Sequence, residues 1–322
     1  MINARPTKLY ISEQEVLECL PMAKAIELVE DVFCRLDDGT AINHPRRRVI
    51  LPTGSVLHYM AAGTAEYFGL KAYSVNAKTG AHFEVLLYRS ADGMPLATLE
   101  ANHLGQIRTG AATGVATKYL ARADAGVAAI LGSGFQARTQ LEAVAAVRRL
   151  REVRVWSRKK EKREEFARRC AADFGLNVRA TETAQECVEG ADIVTTATAS
   201  KEPVLEAAWI APGAHVNAAG SNWAQRRELP TELVLDRGAV VAVDSVEVGN
   251  IESGDLLIPM RERVLDTLPA VDLSGIVAGR IAGRTSADQI TIFKSNGLAA
   301  EDIAVGGFIY EEALRRGFGR TH

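Results

Sequence analysis

The strongest constraint in this chain is one stretch, Gly126 to Arg158, reading GVAAILGSGFQARTQLEAVAAVRRLREVRVWSR. Gly126–Leu131 is an apolar run of strand length, and Gly132-Ser133-Gly134-Phe135-Gln136-Ala137 follows at once. From Thr139 onward Leu141, Val144, Ala145 and Leu150 recur at helical spacing, and Val153–Trp156 supplies a second short strand. Strand, glycine turn, helix, strand is the setting in which G-x-G-x-x-A binds a dinucleotide. Gly132 permits the tight turn, Gly134 lets the backbone approach a pyrophosphate, and Ala137 lets the helix pack close to its strand. The helix start then presents N–H groups to the phosphates. Residues 132–137 are therefore expected to bind a cofactor.

The alternation continues past Trp156. A helix is expected over Lys160–Phe174, a strand over Asn177–Ala180, a short helix over Ala184–Val188 and a strand over Ile193–Ala197. Further strands are expected at His215–Ala219, Val240–Val243 and Ile290–Phe293. Such alternation implies an α/β, Rossmann-type doubly wound parallel sheet. Ligands of such sheets sit at the carboxyl ends of the strands. That places Thr196, Ala197 and Thr198, then Gly220, Ser221 and the residues to Trp223, then Asp244 to Glu247, and finally Lys294, toward the cofactor.

The residues before Ala123 read differently. Ser12-Glu13-Gln14-Glu15 is a capping-box pattern opening a short helix, and Pro21 suits the first position of a helix over Met22–Leu36. From Val56 to Ala101 the runs VLHYMAAG, GLKAYSVNA, HFEVLLYRS and MPLATLEA predict an antiparallel meander, with a hairpin at Asp92-Gly93. Asn102 suits the N-cap of a helix reaching about Ala121, rich in Ala, Gly and Thr, with Arg108 near its start. The C-terminal helix, Ala299–Arg315, is expected to pack back on this region. The division follows: 1–122 plus 297–322 as an α+β substrate-binding and dimerisation domain with an antiparallel sheet, and 123–296 as the nucleotide-binding domain.

Composition narrows the partners. A net charge of -2 over 322 residues gives no electrostatic reason to expect nucleic acid or an acidic membrane. The basic run Arg148–Arg169 is interleaved with Glu152, Glu161, Glu164 and Glu165, the pattern of a solvated helix face. Cys19, Cys34, Cys170 and Cys187 are far apart, reading as reduced thiols rather than a disulfide frame or a metal site. No stretch is apolar for long enough to span a bilayer, and MINARPTKLY lacks a leader's apolar core. A cytoplasmic protein without a metal is expected.

Several stretches together resemble one family. Arg108-Thr109-Gly110-Ala111-Ala112-Thr113 with Ala116-Thr117-Lys118-Tyr119-Leu120, the 132–137 turn, Asn217-Ala218-Ala219-Gly220-Ser221-Asn222 with Arg227-Glu228-Leu229, and Thr291 to Ala299 with Glu301-Asp302 are similar to the ornithine cyclodeaminase/μ-crystallin family of NAD(P)-dependent enzymes. The resemblance implies a homodimer whose non-nucleotide domains join their sheets. It also implies an amino or imino acid substrate held between the domains by cations. Those cations look like Arg47, Lys71 and Arg108, with Arg46 and Arg48 competing for the role of Arg47. Buried cations need an anion, which a substrate carboxylate would supply. Lys71 is close enough in this scheme to act on the substrate nitrogen as well.

The family's cyclodeaminases carry an aspartate after the strand that ends here at Gly220. This chain has Asn222 there, an amide that can orient a substrate but cannot exchange protons. The departure favours reduction of an α-imino acid, such as a cyclic ketimine or Δ1-pyrroline-2-carboxylate. Ornithine cyclodeamination, alanine-type dehydrogenation and a non-enzymatic NADPH-binding protein of the μ-crystallin kind are the alternatives. NADPH is expected in preference to NADH, with NADH as the admissible second cofactor. The second strand runs out into Ser157-Arg158-Lys159-Lys160, with no acid to accept from a ribose 2′-OH and three cations for a 2′-phosphate. Tyr59, Met60, Phe83 and Trp223 are candidates to line the substrate side-chain pocket, although such residues are more often core.

Overall fold

The computed structural model describes residues 8–235, 239–267 and 270–321. Most of the N-terminal stretch read above for a leader lies outside them. The chain forms two compact units, Met1–Arg108 with Leu298–His322 and Thr109–Gly297. The sequence division at 296/297 falls one residue from the second crossing. The first crossing lies earlier than 122/123, inside one uninterrupted helix that no local sequence signal divides.

In chain order the first unit opens with β1 (Leu9–Ile11), α1 (Glu13–Cys19), α2 (Met22–Asp37), β2 (Ile42–Asn43), β3 (Arg47–Ile50), β4 (Val56–Gly63), β5 (Tyr67–Asn76), β6 (Gly80–Arg89) and β7 (Pro95–Glu100), and α3 (Asn102–Leu120) follows. The second holds β8 (Val127–Leu131), α4 (Phe135–Val147), β9 (Glu152–Trp156), α5 (Lys160–Phe174), β10 (Val178–Ala180), α6 (Ala184–Val188), β11 (Ile193–Thr196) and β12 (His215–Ala218). It continues through α7 (Thr231–Leu235), β13 (Val240–Val243), α8 (Val246–Glu252), α9 (Gly254–Arg263), β14 (Val271–Asp272), α10 (Leu273–Val277) and β15 (Thr291–Lys294). The chain then returns to the first unit with α11 (Ala299–Arg316) and β16 (Arg320–Thr321).

The meander β4–β7 is antiparallel throughout. Its sheet is mixed, because the three-residue β1 adds to β7 in parallel and β16 pairs with β1. Helix α11 lies across β4, β5 and β6 and against α2. Gly317, at φ 71°, closes it in the left-handed conformation expected of a helix-ending glycine. Two local expectations shift. Pro21 caps α2 from outside instead of opening it. Asn102 is the first residue of α3 and not its cap. The cap is the Glu13 carboxylate, which accepts the N–H groups of Asn102 at 2.6 Å and His103 at 2.9 Å. A carboxylate from 89 residues away satisfies those N–H groups and faces the positive end of the helix dipole.

The second sheet is parallel in every pairing, in the order β10-β9-β8-β11-β12-β15-β13-β14. Alternate residues of its strands enter two cores. Ala129, Leu131, Val194, Val216 and Ile292 face one way. Ala128, Ile130, Val153 and Val155 face the other, against Leu141 and Val144 of α4. Burial on both faces explains why these strands read as unbroken apolar runs, each large side chain contributing about 1.5–3 kcal/mol. The chain reverses direction across the sheet between β8 and β11, which defines the crevice.

Candidate functional site

In the first unit the register sets which side chains meet. Met60, Lys71, Val85 and Leu99 are cross-strand neighbours on the face toward α11. That makes Lys71 a cation in a row of core residues, 2% exposed. Its ammonium donates to Asp302 Oδ1 at 2.7 Å. Arg108, 7% exposed, donates from Nε to the same oxygen at 2.9 Å and from Nη1 to Glu301 Oε2 at 2.8 Å. Gly105 makes room for this. A Cβ there would stand 2.7 Å from Lys71 Nζ, so any other residue would require the ammonium to shift. Burial lowers the Lys71 pKa to about 8, with Arg108 and Arg46 adding to the effect and Asp302 opposing it. Burial also disfavours the Arg108 cation, but Asp302 and Glu301 outweigh it and hold its pKa above the ordinary value.

Three expectations change here. The cations do not wait for a substrate anion, because Asp302 and Glu301 are already paired with them. Arg47 is on the wrong face. It aligns with Tyr59, Ala72 and Glu84 on the outer side of the sheet and is exposed. Arg48 instead aligns with His58, Tyr73 and Phe83 on the Lys71 side, and Arg46, 5% exposed, is the arginine whose charge reaches Lys71. Period-two alternation decides this, and three consecutive arginines concealed it. Met60 is core, and Tyr59 points outward. Phe83 stays near the cluster, its ring centre 5.8 Å from Lys71 Nζ.

In the second unit the crevice is organised by a residue given no role in the sequence reading, Glu228. Its buried carboxylate accepts from Thr196 Oγ1 at 2.9 Å, Thr198 N and Oγ1 at 2.7 Å, and Gly220 N at 2.8 Å. Thr196 and Thr198 therefore turn their hydroxyls onto Glu228. Asp255 accepts the N–H groups of Glu228 at 2.6 Å and Leu229 at 2.9 Å. Lys294, expected at the cofactor, is fully buried. Its ammonium is 3.1 Å from Asp255 Oδ2 and donates to the Ser221 and Ala218 carbonyls. Asp244 likewise accepts from the Asn296 and Gly297 amides and so shapes the turn after β15.

The glycine turn fits a dinucleotide. Gly132 has φ +124°, and a Cβ on it would stand 2.4 Å from the Ala197 carbonyl. Gly134 differs: its φ of -90° suits any residue, and a Cβ there would meet nothing within 4 Å. The fold does not require glycine at 134, whereas close approach of a phosphate would. Helix α4 starts there with no side-chain cap and no acid in its first turn. Ser133 and Ser157 touch through their hydroxyls at 2.8 Å, which joins this turn to the end of β9. Arg158 and Lys159 beyond it are exposed. Phe135, the first residue of α4, is exposed, and Gln136 is half-buried. Asn222 is half-buried just after β12 and Gly220.

These features place the chain among known proteins. The sequence profile of the Ornithine cyclodeaminase/mu-crystallin family matches residues 7–317. A Delta(1)-pyrroline-2-carboxylate reductase of Bacillus cereus is 35% identical over 327 residues, covering 99% of this chain and 98% of the relative. The structure of Thermococcus litoralis Delta(1)-pyrroline-2-carboxylate reductase in complex with NADH and L-proline superposes with a TM-score of 0.92 at 36% identity, covering 97% of this chain and 99% of that one. An archaeal alanine dehydrogenase dimer with bound NAD does so with a TM-score of 0.92 at 30% identity, covering 98% and 99%. The chain belongs to the ornithine cyclodeaminase/mu-crystallin family.

Proposed function

We propose that this chain is an NAD(P)H-dependent reductase of α-imino carboxylates of the cyclic ketimine or Δ1-pyrroline-2-carboxylate type. The observation that carries the reading is the state of the two buried cations. Arg108 uses Nε and Nη1 on Asp302 and Glu301, and Lys71 spends one of its three hydrogens on Asp302. The remaining N–H groups suit a substrate carboxylate, and the carboxylate pairs fix the direction in which they point. The relatives named for the same reaction add to this.

Each residue then has a task. Arg108 orients the carboxylate, and Arg46 replaces Arg47 as the third cation beside Lys71. Lys71, protonated below a pKa of about 8, holds a proton at Nζ for the substrate nitrogen. The amide of Asn222 orients that nitrogen without exchanging its proton. The 132–137 turn and the Ser157–Lys159 segment bind the cofactor, and the latter favours a 2′-phosphate over a 2′-hydroxyl. Bound NAD(P)H supplies the hydride to the C=N carbon.

The test is nicotinamide absorbance with a panel of imino and amino acids in both directions, with NADPH and NADH in parallel. Turnover of a cyclic ketimine or Δ1-pyrroline-2-carboxylate with negligible ammonia from L-ornithine is expected. Ornithine deamination as fast as imine reduction would establish the cyclodeaminase reading instead. The outer face of the first sheet exposes Ile42, Val49, Leu57, Tyr59 and Phe68, which supports a homodimer formed through that unit. Four unpaired cysteines, with the Cys170 thiol pushed up to about 11 by burial, suit a reducing cytoplasm. No helix among the described residues is long and apolar enough to cross a membrane.

A further inference from the structure

The end of β9 carries cations, but one carboxylate also reaches it. Glu182 follows β10 in the sequence, and its side chain is 70% exposed. Arg163, on the first turn of α5 and only 7% exposed, binds Glu182 Oε2 from Nη2 at 2.7 Å. The same guanidinium donates from Nη1 to the Ser157 carbonyl at 3.2 Å. Lys160 stands 3.6 Å from the other Glu182 oxygen. Ser157 is in turn the residue whose hydroxyl meets Ser133 of the glycine turn. One buried arginine thus holds the Ser157 backbone, where an adenosine ribose would lie, and binds the Glu182 carboxylate.

We propose that the Arg163–Glu182 ion pair sets cofactor selectivity, with Arg163 as a positioning residue that masks an acid able to reverse the choice. The proposal rests on reading 157–159 as the ribose end of the cofactor site. In an NAD site a carboxylate near the end of the second strand accepts from the ribose 2′-hydroxyl and repels a 2′-phosphate. Here Glu182 has the chemistry for that task, but its charge is matched by Arg163, with Lys160 shared between Glu182 and Glu164 at 3.6 and 3.8 Å. Removing the positive partner leaves the local charge one unit more negative, which disfavours NADPH. Removing the negative partner does the opposite. Glu182 is exposed, so salt should weaken both effects.

The experiment is titration of nicotinamide fluorescence with NADPH and with NADH, on the full chain, at low and high ionic strength. It requires no substrate turnover. Arg163→Gln should lower the NADPH-to-NADH affinity ratio by about tenfold, the scale of one unbalanced charge near a phosphate at a partly solvated site. Glu182→Gln should raise the ratio by about threefold, less because the acid is more exposed. Arg163→Lys and the double variant Arg163→Gln/Glu182→Gln should both return close to wild type. Opposite movements of the two single variants establish the pair as the selector. A purely structural role would weaken both cofactors alike, and ratios that move together or not at all would overturn the proposal. If Arg163→Gln does not fold, the exposed Glu182→Gln decides alone: a rise that salt suppresses supports the pair, and an unchanged or lowered ratio overturns it. The wild-type ratio tests the NADPH preference separately, since the shifts are expected whichever cofactor the native chain binds better.

Discussion

Lys71 and Lys294 are both enclosed, and both are paired with an aspartate, at 2.7 Å and 3.1 Å respectively. They have opposite uses. Lys294 donates to two backbone carbonyls and forms an ion pair with Asp255, so its ammonium is held on three sides. Lys71 has one such bond, to Asp302. The pairing itself therefore says little about purpose. A buried lysine is available for chemistry only when its hydrogen-bonding capacity is left incomplete, and the second unit completes what the first leaves open.

The sharpest way to break this comparison is to remove Lys294. Lys294→Met strips Asp255 of its counter-charge in a sealed site, so thermal or denaturant unfolding should show a loss of about 3–5 kcal/mol. A stable variant that merely bound NAD(P)H poorly would return Lys294 to the cofactor site. Next comes Arg108→Ala. A loss of about 2–3 kcal/mol in kcat/KM is expected, with cofactor affinity almost unchanged by fluorescence titration. Near-normal kinetics would reduce the Arg108 pair to scaffolding as well.

Lys71 offers a test by pH. Its folded pKa of about 8 lies below the ordinary 10.5. Carboxylate binding needs the protonated form, so kcat/KM should fall above pH 8, by about tenfold at pH 9. Stability should move the other way. Between pH 8 and 10.5 the unfolded chain binds more protons at this position, so the contribution of Lys71 to stability rises with pH across that window. A flat rate profile to pH 9.5 would mean that Lys71 is not charged in catalysis. The smallest effect is expected at Gly134. Gly134→Ala should weaken cofactor binding several-fold and leave stability within about 0.5 kcal/mol, since a methyl group there meets no protein atom. A matching drop in melting temperature would show that the fold, and not the ligand, demands the glycine.

Much of the second unit was legible because strands buried on both faces, separated by helices, repeat one local pattern. Its glycine turn obeys local backbone rules and could be read residue by residue. The carboxylates could not. Glu301 and Asp302 begin α11, where acids are expected simply to complement the helix dipole, and nothing local shows that they turn toward Lys71 and Arg108 some 190–230 residues away. Glu228 stands in a loop whose four donors come from two strand ends. Arg47 was misplaced because register depends on the pairing of β3 with β4, which a run of three arginines does not encode.

The four bonds to Glu228 bear on how the crevice can exist at all. A parallel sheet that splays at its carboxyl ends leaves peptide groups without the neighbour that would have continued the ladder. At Thr198 and Gly220 a side chain takes that neighbour's place, so these two N–H groups are not left unmet. Position 228 is thus a strand surrogate, subject to the tolerances of main chain rather than of a surface acid. Aspartate there would fall one methylene short, and glutamine would present a donor where acceptors are required. Amide exchange at Thr198 and Gly220 should accordingly be as slow as in the sheet's interior, although both lie at the mouth of the groove.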